Sequence, residues 1–138
     1  MEIPQTIESN LLIIATMDTK GSEALYLRDT FKKLGMESML LDISMRDGDR
    51  ISESDISASE TANAGGSNLE EVSYSRDMNS NMSCMVNGAV SITKKLVNEG
   101  KVSGIIGIGG CTGTLMITEI LQALPFGLPK VMVSSAAA

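Results

Sequence analysis

The chain has 138 residues, enough for one domain that buries roughly two thirds of the surface its unfolded form exposes. With 43% hydrophobic residues, only 3% aromatic and ten methionines, its core must be aliphatic and adaptable. A formal net charge of −6, with no run of Lys or Arg longer than a pair, excludes general binding to nucleic acid, and the absence of histidine excludes Ser-His, Cys-His and zinc-cluster chemistry within the chain.

Residues Asn10 to Thr16 (NLLIIAT) form a short, continuous apolar run, as expected for a strand buried on both faces of a parallel sheet. The run ends in the loop Met17-Asp18-Thr19-Lys20-Gly21. Behind it Ala24, Leu27, Phe31 and Leu34 recur at helical spacing, and Gly35 stands where a left-handed helix cap belongs. Met36 to Ile43 supply a second strand. From Ser44 to about Asn79 the periodicity fails and polar residues dominate, apart from a short helix over 58–64 opened by the capping-box spacing Ser57-x-x-Glu60 and closed by Gly65-Gly66. Met82, Met85, Val86, Ala89, Ile92 and Leu96 define an amphipathic helix ended by Gly100. Val102 to Gly109 read as a third strand, residues 115–123 as a helix after the Gly109 to Thr114 loop, and Pro129 to Ser134 as a fourth strand. The first ten residues lack a basic leader, and no apolar run is long enough to span a bilayer, so the default compartment is the cytoplasm.

Strands alternating with helices predict an α/β, Rossmann-like three-layer sandwich with a parallel sheet. A short first connection and a long second one suit the strand order 2-1-3-4. In such sheets ligands bind at the carboxyl ends of the strands where the winding reverses, here between strands one and three. Thr16 to Gly21 and Gly109 to Thr114 meet there. Each loop is expected to offer a helix N-terminus with unpaired amides and partial positive charge. Gly109, Gly110 and Gly113 would let the backbone adopt positive φ and approach a phosphate. Thr16, Thr19, Thr112 and Thr114 carry hydroxyl donors, Lys20 adds a point charge, and Asp18 would hold Mg²⁺ or order the loop. Terminus effects of about 0.3 to 1 kcal/mol and charged hydrogen bonds of about 1.5 to 3 kcal/mol predict micromolar to millimolar binding.

Plainer readings stand beside these. The glycine loop is neither a Walker A sequence nor a full dinucleotide fingerprint, and an ordinary strand-to-helix turn also uses glycines. Cys111 at a helix start invites a nucleophile reading, but with no histidine as base a small residue tolerated in the loop is favoured. Asp42, ending strand two, could hold a ribose or simply end the strand. Arg76 could close over a phosphate or stay solvated.

Together, Thr16-Met17-Asp18-Thr19-Lys20-Gly21, Arg76-Asp77, Gly88-Ala89, the run Gly104 to Thr114 and the run Leu124 to Ser134 resemble, over about residues 11–135, a family that includes the N-terminal domain of the tomato mosaic virus resistance protein. The resemblance implies an ATP-binding, Rossmann-like domain, dimeric in the plant member, where it binds a viral replication protein. Carried over, the nucleotide contacts are Asp18, Thr19, Lys20, Arg76, residues Gly109, Gly110, Cys111, Thr112, Gly113 and Thr114, and Lys130, Ser134 and Ser135. Cys111-Thr112 stands where Ser-Gly is usual. The family continues past the segment matching Ser134 to Ala136 into a second subdomain, so a homo-oligomer or a partner chain is expected to complete the fold. The expected function is a nucleotide-binding module for ATP, with or without Mg²⁺. The alternatives are an enzyme acting on a phosphorylated or carboxylated metabolite or hydrolysing ATP, and an interaction domain with a vestigial crevice.

Overall fold

The structure, a computed structural model, describes residues 10–46 and 53–136. Four strands, β1 (Asn10–Ala15), β2 (Glu37–Asp42), β3 (Gly104–Gly109) and β4 (Lys130–Ser134), form one parallel sheet in the order β2-β1-β3-β4. The 2-1-3-4 order and the α/β class expected from the sequence are both present. Ile13 pairs in register with Leu40 on one side and Ile106 on the other, so β1 lies in the middle with no edge of its own. That position explains its unbroken apolar run: Leu12, Ile13, Ile14 and Ala15 are all fully buried.

Successive strand residues point to opposite faces, and each face has its own core. Ile13, Ala15, Leu40 and Ile108 pack beneath α1 (Met17–Lys33) with Met17 and Ala24. Leu12, Ile14, Leu41 and Ile105 pack on the other face with residues of α2 (Ala58–Ala64), α3 (Leu69–Tyr74), α4 (Met78–Asn98) and α5 (Cys111–Ala123). Burying each large aliphatic side chain contributes about 1.5 to 3 kcal/mol, so the two cores together secure the sheet from both sides. On the second face α2 and α4 approach closely: a methyl group at Gly88 would collide with the Thr61 carbonyl oxygen.

The helix ends follow their sequence signals. The Ser57–Glu60 capping box is formed in both directions. Gly35, at φ 78°, ends α1: its amide donates to the Lys32 carbonyl and that of Met36 to the Phe31 carbonyl, the paired bonds of a Schellman cap. The same pattern closes α4 at Gly100.

The helix beginnings differ from expectation. The polar segment predicted over 44–79 holds a second short helix, α3, capped by Asn68 accepting from the Glu71 amide, and α4 starts at Met78 with Asp77 accepting from the Ser80 amide. Both are local Asx caps. Residues 47–52 of that segment lie outside the described residues. Most of each loop expected at the switch point is itself helical, since α1 begins at Met17 and α5 at Cys111.

Candidate functional site

Asp42 organises the β1–α1 junction from a distance. It is 1% exposed, and its Oδ1 accepts the Met17 amide at 3.2 Å and the Ser44 amide at 2.8 Å as well as the Ser44 hydroxyl. The Ser44 oxygen in turn accepts the Asp18 amide at 3.1 Å and lies 3.2 Å from the Asp18 carboxylate. Thr16, the N-cap, makes no side-chain cap bond; its carbonyl accepts from Thr19 and Lys20, while its hydroxyl pairs with that of Thr19 at 2.8 Å. The first four amides of α1 are therefore all satisfied by the protein. The chain leaves helical geometry only at Lys20, with φ −122° and ψ 17°. This corrects the expectation that α1 offers open amides, and it gives Asp42 the work of a tertiary cap.

The β3–α5 junction is built differently. Its N-cap is Gly110, without a side chain to turn back, and the first helical bond is Thr114 amide to Gly110 carbonyl at 2.9 Å. The amides of Cys111, Thr112 and Gly113 thus have no intrahelical acceptor, the usual state of a first helical turn. None of the three loop glycines uses positive φ; among the described residues the positive-φ glycines are 35, 66, 100 and 127. Gly109 is needed for space, because a Cβ there would strike the Thr114 nitrogen and the Gly113 carbonyl carbon. At Gly110 a Cβ would meet only Lys20 Cε at 3.8 Å and Ser135 Oγ at 4.0 Å.

These junctions share one cleft of about 370 Å³ at the carboxyl ends of the strands, within the range of about 300 to 1,000 Å³ usual for small-molecule sites. From the first junction it is lined by Thr16, Asp18, Thr19 and Lys20, and from the second by Gly110, Cys111, Thr112 and Gly113. Lys20 is loosely oriented by Glu23, 4.0 Å away. Cys111 and Thr112 are exposed.

The other sequence candidates fall outside the lining. Gly109 is buried behind it. Thr114 shares a 2.7 Å hydroxyl contact with Ser134, and the Ser135 amide donates to the Gly109 carbonyl at 3.0 Å, so these residues fasten the end of β4 to the back of the junction. Arg76 is exposed in the turn between α3 and α4, two residues before the rim residue Met78. Lys130 stands at the amino end of β4, where its Nζ donates to the carbonyls of Leu124 and Pro125 at 3.1 and 3.0 Å. Parallel pairing of Lys130 with Ile105 and of Ser134 with Gly109 puts Lys130 at the far end of the sheet from the cleft, so the structure does not bring it to the site.

Four lining residues, Met45, Arg46, Met78 and Met116, were not anticipated. Arg46 follows the carboxyl end of β2, and extending the switch-point rule to that strand would have found it. The cysteines contrast in setting: Cys111 is exposed at the cleft, while Cys84, away from it, has its thiol pushed to higher pKa by burial, partly offset by a backbone hydrogen bond from Ser67. Among the described residues no group of three or more His, Cys, Asp or Glu could hold a metal ion, and no helix is long and apolar enough to cross a membrane.

Residues 9–138 match the N-terminal domain of the uncharacterised protein family UPF0261. The chain belongs to this family. Among curated members, a UPF0261 protein of Clostridium tetani is 35% identical over 131 residues, covering 95% of this chain and 32% of its own length. One from Brucella suis is 33% identical over 132 residues, covering 96% of this chain and 31% of its own. This UPF0261 domain thus spans about a third of the length of those relatives. The ToMV resistance protein Tm-1(GCR237) of Solanum lycopersicum is 40% identical over 40 residues, which is 29% of this chain and 5% of that protein.

Proposed function

We propose that this UPF0261 domain binds a nucleotide of the ATP type, with the phosphates between the β1–α1 and β3–α5 junctions. The observation that carries the reading is the uncapped start of α5 opening on a cleft whose other wall holds Lys20 and the Thr16–Thr19 hydroxyl pair. Amides and the helix dipole favour an anion, and the hydroxyls and ammonium add directional and charge terms. The adjacent Asp18 fits Mg²⁺ arriving with the ligand: that ion is usually held by one or two carboxylates plus phosphate oxygens, without a dedicated protein cage. Calorimetric titration with ATP, with and without Mg²⁺, beside a phosphate-release assay, tests the proposal. Binding without turnover supports a regulatory or structural nucleotide, turnover supports an ATP-hydrolysing enzyme, and no heat of binding overturns the reading.

The proposal includes a partner and a cytoplasmic setting, where such nucleotides are available. The sheet face that carries α1 leaves Val131 and Val133 of β4 53% and 48% exposed. Parallel strands are normally covered on both faces, so we propose that a second copy or a further chain covers β4. Light scattering that gives a monomer across a wide concentration range counts against the second copy.

A further inference from the structure

The lining of the cleft contains more than an anion needs. Met45, beyond β2, Met78, the first residue of α4, and Met116, in α5, come to it from three separate stretches of the chain. Met45 and Met116 also pack against the core on the α4–α5 face, with Met116 fully buried, and they give the cleft a firm apolar floor. Met78 is 53% exposed at the rim. A thioether offers a phosphate nothing, whereas it makes favourable contacts with flat π-systems, about 0.3 to 1.5 kcal/mol each, and adapts to their outline. Volume points the same way. At about 30 Å³ per water-sized group, the cleft holds roughly a dozen of them, well beyond an orthophosphate. Among the described residues no aromatic side chain lines it, so Met45 and Met78 are the apolar side chains available to cover a ring face.

We infer that the cleft has two poles, and that Met45 and Met78, supported by the fully buried Met116, form a subsite for the heterocyclic base of a phosphorylated ligand. The assignment rests on the anion reading above. It makes the methionine pole the source of selectivity for nucleotides over inorganic polyphosphates, and the α5 amides with Lys20 the source of their shared affinity.

Titrations of the 138-residue chain with ATP and with inorganic tripolyphosphate test this, first on the parent and then on Met78→Ala and Met45→Ala. Alanine is a good helix former and Met78 is half exposed, so α4 should persist in Met78→Ala; circular dichroism verifies the fold of both variants. The expected result is ATP binding at least tenfold tighter than tripolyphosphate. Each methionine variant should lose several-fold in ATP affinity while tripolyphosphate affinity moves less than twofold. Equal affinities for the two ligands in the parent, or variants that leave ATP affinity unchanged, overturn the base subsite while the anion site stands. Failure of both ligands to bind removes the anion reading and the subsite with it.

Discussion

The two strand-to-helix junctions at the cleft look equivalent in topology and are opposite in chemistry. At β1–α1 the amides of Met17 and Asp18 are taken by Asp42 and Ser44, and those of Thr19 and Lys20 by the Thr16 carbonyl. At β3–α5 the N-cap is a glycine and the first-turn amides have no helical acceptor. The first junction can therefore meet a ligand only through side chains: two hydroxyls, a carboxylate and an ammonium. The second would offer one chiefly backbone amides. A helix terminus at a switch point is an anion site only when nothing in the protein has already capped it.

The largest test removes the cap that separates the two. Asp42→Ala leaves the buried amides of Met17 and Ser44 without their acceptor, and is expected to cost about 2 to 4 kcal/mol of stability, read as a lower urea midpoint at unchanged slope. Asp42→Asn keeps an oxygen and should recover part of it. If Asp42→Ala unfolds at the parent midpoint, the first junction is not held as described.

Gly110→Asp makes the second junction resemble the first. An aspartate at this N-cap can accept from the following amides, and there is room for its Cβ. Stability should rise by a few tenths of a kcal/mol while ATP affinity falls about a hundredfold, near 2.7 kcal/mol. Loss of binding together with gain of stability is the diagnostic pair; unchanged affinity would show that the α5 amides do not hold the ligand.

Smaller effects probe the side-chain wall. Lys20→Ala should weaken ATP about tenfold, close to 1.4 kcal/mol, with a shallower dependence on salt than the parent, because a charge contact is removed. Thr19→Val keeps the shape and deletes one member of the 2.8 Å hydroxyl pair, and should weaken ATP by two- to fivefold, about 0.4 to 1 kcal/mol. Both follow from calorimetry, and a Lys20→Ala variant that titrates like the parent takes Lys20 out of the site.

Much of the architecture was legible in the amino-acid order. Continuous apolar runs marked the buried strands, Gly35 and Gly100 marked helix ends, and connection lengths gave the strand order, because these signals act between near neighbours or through burial alone. The Asn68-x-x-Glu71 and Asp77-x-x-Ser80 caps were equally local and could have placed the starts of α3 and α4. The convergence of Thr16–Lys20 with Gly110–Gly113 also followed from topology. What the fold alone decided was which helix start stays open. Asp42 lies 25 residues from the Met17 amide it accepts and Ser44 lies 26 from that of Asp18, so no window along the chain contains both partners. The methionine lining is invisible for the same reason: thioethers spaced for a core come to a cleft only when three distant stretches of the chain meet.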